Sequence, residues 1–220
     1  KHWYPLSYIG GGGLCLRWFR DTFALEEKKI SEKKNVSTYA ILNKMAEKIP
    51  AGSEGLIFIP HLAGKTFPTN SKIKGNWFGF SWKHTKAHFY RSILESIAYE
   101  YKNYFEIIKK LFPEIEFKEV RVLGGGSQSD LWNQLKADVL GITYKKINID
   151  NVGLIGLAMT AAKGVGLIDD VGEVINNIVY TTKEYYPRGK INEHYSHYAD
   201  LYQNLINDLN SSYNELEKIN

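Results

Sequence analysis

The sequence predicts an α/β fold, and three observations carry that prediction. Short apolar runs are bounded by glycine and proline, longer segments repeat apolar residues at helical spacing, and one alternating run ends in a glycine turn that opens a helix. No internal repeat or low-complexity tract occurs, and 220 residues can bury a core as one large domain or two small ones.

In chain order, Gly10-Gly11-Gly12-Gly13 frees the backbone, and Leu14, Leu16, Trp18, Phe19 and Phe23 then recur as one face of a helix. Residues Ala24 to Asn35, rich in Glu, Lys and Ser, read as a solvated connection. Thr38 to Ile49 is a second amphipathic helix, stopped by Pro50-Ala51-Gly52-Ser53. Leu56 to Ile59 has the pattern of a buried strand, Asn76 to Phe80 that of a second, and a polar loop from His61 to Gly75 joins them. Thr85 is placed to cap a long helix whose apolar stripe runs from Tyr90 to Phe112, with Pro113 ending it. Glu119 to Leu123 alternates as a strand does, enters Gly124-Gly125-Gly126-Ser127, and is followed by a helix from Leu131 to Leu140. Ile142 to Ile149 is a further strand, and the Ala, Gly and Leu of Val152 to Val165 suit a helix packed closely on a sheet or another helix. Tyr180 to Pro187 reads as irregular, and a last helix spans roughly Glu193 to Leu216.

Composition narrows the function classes. The formal charge of +4 comes from 28 basic residues dispersed among 24 acidic ones, which gives no basic block for nucleic acid. Val152 to Ala162 offers 11 apolar or small residues, against about twenty for a membrane span, and Lys1 to Gly13 lacks the apolar core of a signal peptide. The single Cys15 excludes an intrachain disulfide framework, no Cys/His cluster has zinc-ligand spacing, and a cytoplasmic setting is expected. The chain opens without Met, as an excised domain or processed product would. Tyr185, Tyr186, Tyr195, Tyr198 and Tyr202 are expected to bury their rings and keep their hydroxyls wet.

The informative segment is Leu123 to Asn133. Glycines at a strand end let a ligand approach the backbone, and the following helix N-terminus offers free N–H groups to phosphate oxygens; a tight packing turn is the competing reading. A dinucleotide fingerprint is met by Gly124, Gly126 and Asp150 but has Ser129 at its third glycine, and no Gly-Lys-Ser or Gly-Lys-Thr of a phosphate loop occurs.

Six segments in order resemble the C-terminal domain of FGGY carbohydrate kinases, with the glycine turn most similar to the xylulokinase branch. They are Gly12 to Asp21, Gly55 to Gly64, Gly75 to Phe80, His88 to Tyr99, Gly124 to Trp132 and Ala137 to Gly141. The resemblance implies one domain over residues 1–220, ribonuclease H-like and of the actin/hexokinase/Hsp70 type, half of an enzyme that moves the γ-phosphoryl group of ATP, with Mg2+, to a sugar such as D-xylulose and inactive by itself; a non-catalytic actin-like nucleotide-binding or interaction module is the alternative. It implies that Gly124, Gly125 and Gly126 carry the inner phosphates, with Gly125 meeting the α-phosphate by its backbone, that Ser129 lies near the adenine, and that Gly13 and Arg17 border the nucleotide. Its implied partners are the sugar, an N-terminal domain carrying the catalytic base, and a second copy in a homodimer, with no nucleic acid and no membrane. No catalytic residue and no metal ligand is assigned to this chain.

Arg17 also reads as a solvated helix residue, Asp130 as the cap of its helix, Arg91 and Glu95 as an intrahelical pair, and His61, His84 and His88 as surface or packing residues. The chain departs from the family twice. Lys65-Thr66-Phe67-Pro68 stands where Glu-Arg-Thr-Pro is common, and Asn151 to Ala158 lacks the acidic residue that often precedes Leu-Gly-Ala-Ala.

Overall fold

The computed structural model describes residues 6–219, so the first five residues of the aromatic opening segment and the terminal Asn220 lie outside the account. The interior is built around one helix. Helix α4 (Lys86–Leu111) starts from a capping box in which Thr85 and His88 exchange hydrogen bonds, and it is buried almost continuously from Ala87 to Glu100. Packed on it are α1 (Gly12–Phe23), α3 (Thr38–Ala46), α5 (Asp130–Leu140), α8 (Gly189–Asp208) and the strand β1 (Ile57–Ile59). The apolar run Leu56 to Ile59 is 1% exposed or less, as its sequence predicts, and β1 pairs antiparallel with β2 (Asn76–Phe78).

The second unit is a three-stranded sheet. β3 (Glu119–Val122) and β4 (Thr143–Ile147) run parallel, joined through α5, and β5 (Thr181–Tyr185) adds antiparallel to β4. α5 covers this sheet with Ala137 and Leu140, against Val120, Val122, Tyr144 and Tyr185. In order, β3 is the edge strand opposite β5.

Several expectations are corrected. The stretch taken as a solvated connection is helix α2 (Leu25–Lys34): its Glu and Lys are good helix formers, acids sit in its first turn and bases in its last, and Asn35 ends it in the left-handed conformation at φ 50°. The segment read as irregular is β5, a mostly exposed edge strand whose Thr and Tyr suit extended backbone while its lack of apolar alternation hides it. The last helix begins earlier and is two helices, α8 and α9 (Asn210–Ile219), because the Asn and Ser around residue 210 compete for the backbone. The tyrosine hydroxyls are not uniformly wet: Tyr195 and Tyr202 are buried and donate to Glu95 and Glu100 at 2.8 and 2.6 Å, while Tyr186 is exposed.

α6 (Val152–Gly164) forms as predicted, but the close packing expected of it is absent among the described residues. It meets α7 (Val171–Ile178), neither helix has a buried residue, and Leu154 and Leu157 are 63% and 69% exposed. Apolar composition selected the helix, and α7 leaves every residue of it incompletely covered.

Candidate functional site

The three glycines of the turn are glycines for three different reasons. Gly124 has φ 76° and ψ −174°, a conformation that side chains rarely adopt. At Gly126 a Cβ would lie 2.9 Å from Trp132 Cζ3, so the indole excludes any side chain. At Gly125 a Cβ would meet nothing within 4 Å, and its φ lies outside the left-handed region. Nothing inside the chain requires glycine at 125, which leaves its backbone open to an approaching group.

The turn is held rigidly from below. Ser127 is buried, its N–H and Oγ both donate to Gly124 O at 3.0 and 2.7 Å, and Asn133 Nδ2 donates to Ser127 O at 2.7 Å. Gln128 accepts from Lys146 Nζ and donates to Asp150 at 2.7 Å, so the acid that could have marked a dinucleotide site supports the turn instead. Helix α5 is capped by Ser129, whose Oγ accepts from Trp132 N at 3.2 Å; the expected cap, Asp130, is displaced by one position. The Asp130 carboxylate instead accepts from Lys183 Nζ and Tyr185 Oη, and these hydrogen bonds hold it below the usual carboxylate range.

Gly13 lies in the first turn of α1, exposed, with no atom within 4 Å of a built Cβ. That helix has no side-chain cap and no acid in its first turn; its first N–H, of Gly12, donates to Ile9 O at 3.3 Å, and the next two, of Gly13 and Leu14, are the ones placed to meet an anion. A cavity of about 440 Å³ is lined by Gly13 on one side and by Leu123, Gly126 and Ser127 on the other. The fold thus brings Gly13 and Gly126, distant in sequence, to one concave surface. Gly124, Gly125, Ser129 and the exposed Arg17 are not among its lining residues.

This architecture matches known proteins. A family model, the C-terminal domain of the FGGY family of carbohydrate kinases, covers residues 1–165. The chain belongs to the FGGY family. It is 27% identical to a gluconokinase of Bacillus licheniformis over 217 residues, 98% of this chain and 42% of that protein. It is 31% identical to an autoinducer-2 kinase of Klebsiella pneumoniae over 198 residues, 89% of this chain and 37% of that one. The crystal structure of a ligand-bound xylulose kinase from Lactobacillus acidophilus superposes with a TM-score of 0.76 at 25% identity, covering 94% of this chain and 40% of that chain. The chain therefore spans about two fifths of the length of these relatives.

As an FGGY domain it has the fold of the actin/hexokinase/Hsp70 superfamily, and the family is one of sugar kinases. Three features of this FGGY site escaped sequence reasoning. Asn43 of α3 donates to Ser129 Oγ at 3.0 Å and accepts from Tyr90 Oη at 3.1 Å, tying the far end of the core to the cap of α5; a polar residue on an amphipathic helix gives no sequence signal for that. Lys136 lines the cavity from α5. His61 and Lys65 both bond the buried Glu100, at 3.0 and 3.2 Å, so the departure at Lys65 is part of an interior charge cluster. Arg91 and Glu95 do pair, at 2.8 Å, while His84 and His88 accept from backbone N–H groups and His61 packs inside.

Proposed function

We propose that this chain is the nucleotide-binding half of an ATP-dependent sugar kinase, with the inner phosphates of ATP seated on the Gly124 to Gly126 turn and at the N-terminus of α1. The observation that supports it is Gly125, a glycine that nothing inside the described chain requires and whose backbone is open to an approaching phosphate. Gly13 and Arg17 border the nucleotide on the α1 side in this reading, and Ser129 faces the adenosine while shared with Asn43. In this reading Mg2+ would come with the phosphates of ATP and neutralise their charge.

In the reaction, a sugar hydroxyl attacks the γ-phosphorus, and catalysis is chiefly positioning and electrostatics, with a base to take the hydroxyl proton. This chain supplies the nucleotide platform; the base and most of the sugar pocket belong to a partner domain. A pentulose such as D-xylulose is the proposed acceptor, from the likeness of the turn to xylulokinases.

The test is a full-length protein assayed against pentuloses, gluconate and polyols by ADP release, beside its Gly125→Val variant. A Cβ at 125 clashes with nothing inside the chain, so the variant should keep its melting temperature and lose nucleotide binding by about a hundredfold. Unchanged affinity would refute the seat of the phosphates, and a full-length protein that binds ATP yet phosphorylates no sugar would leave only a nucleotide-binding module.

A further inference from the structure

Lys136 is a charged side chain with no counter-charge. It projects from α5 with 6% of its surface exposed, and its Nζ lies 3.8 Å from the centre of the Trp132 ring and 6.0 Å from that of Tyr101. Among the described residues it makes no ion pair and no hydrogen bond, whereas the other buried lysine, Lys65, is paired with Glu100. The side chain is not sealed in: it lines the 440 Å³ cavity together with Phe105, Val120, Val122 and Leu123. The titratable groups facing that cavity are Tyr101 from α4, Arg121 from β3 and Tyr144 from β4, and none of these is a carboxylate.

An amine in such a place behaves unlike a surface lysine. The Trp132 face attracts the ammonium form, but loss of hydration outweighs it, and burial pushes the Lys136 amine down to about 7. A large share of it is therefore unprotonated near neutral pH, when exposed lysines hold their protons and are not nucleophiles.

We propose that Lys136 is a covalent modification site, a buried nucleophilic amine that takes the acyl group of small acyl phosphates entering the cavity beneath the glycine turn. The nitrogen lone pair attacks the acyl carbon, the C–N bond forms, and the C–O bond to phosphate breaks with its electron pair leaving on phosphate. The proton lost from nitrogen goes to the departing phosphate, so no oxidant or further reactant is needed. The product is a neutral amide, which removes a solitary buried charge and its contact with the Trp132 ring, the ring that supports Gly126.

The experiment is to incubate this chain with acetyl phosphate and follow acetyl occupancy of each lysine by peptide mass spectrometry. At about pH 7.5 the initial rate at Lys136 should exceed that at the exposed Lys83 and Lys218 by about tenfold or more, and the excess should collapse at about pH 5.5 as the amine protonates. A rate at Lys136 equal to or below the surface lysines at neutral pH overturns the proposal. A Leu123→Trp variant, changed at a half-exposed residue of the cavity wall, should slow Lys136 alone by severalfold; undiminished labelling in that variant also overturns entry through the cavity.

Discussion

The neighbourhood of α4 and that of the β3–β4–β5 sheet treat buried charge in opposite ways. Around α4, Glu95 accepts from Arg91, Tyr195, Gly52 N and Ser53 Oγ, and Glu100 accepts from His61, Lys65 and Tyr202. Beneath the sheet, Lys136 has an aromatic face and nothing ionic. Interior charge is cheap only where hydrogen bonds surround it, so the first region is locked and the second retains a group whose state can change.

The largest effect should come from breaking the lock. The turn Gly52-Ser53-Glu54-Gly55 has four consecutive positive φ values, from 47° to 95°, two of them at residues with side chains, and Glu95 clamps it. Glu95→Ala strands the Arg91 charge and frees that turn, and urea denaturation should record a loss of about 3–5 kcal/mol. A loss below about 1 kcal/mol would mean that apolar packing alone holds α4.

The next contrast is in pH. Burial works to raise the Glu100 carboxyl, but the hydrogen bond with His61 and the charge of Lys65 outweigh it and hold it below its ordinary value of 4.5. A depressed carboxylate stabilises the fold above its unfolded value, so this contribution is complete above about pH 4.5 and is lost as pH falls further; Glu100→Gln should flatten that acid limb. Lys136 acts in the opposite window. Its folded value of about 7 lies below the ordinary 10.5, the unfolded chain binds the extra proton between them, and stability rises with pH across that interval. Lys136→Met should abolish this rise and add about 1–3 kcal/mol at pH 7. A melting temperature that does not depend on pH between those limits would show Lys136 to be hydrated.

The smallest effects separate adjacent glycines. Gly126→Ala forces a methyl against the Trp132 ring and should cost about 1–3 kcal/mol, while Gly125→Ala should stay within about 0.5 kcal/mol of the parent. Equal losses at both sites would mean that the turn is strained as a whole.

The sequence made the first region legible and the second only in part. The stripe on α4, the buried run of β1 and the strand, turn and helix around Gly124 follow from periodicity and turn chemistry. β5 stayed hidden because an exposed edge strand has no alternating face, and α2 because charge on every side reads as solvation although the same residues favour helix. The reach of Asn43 to Ser129, and of Lys65 in the β1–β2 loop to Glu100, depends on which distant elements meet, and no local pattern encodes that.

The glycine triplet also lets two selections be told apart in the laboratory. Gly124 answers to backbone geometry and Gly126 to a neighbouring ring, so a library sieved only for folded protein should keep both and let Gly125 drift. Sieved for nucleotide binding, the same library should hold all three under the proposed seat of the phosphates. The middle letter of three identical ones thereby measures what the domain is for, as distinct from what keeps it standing.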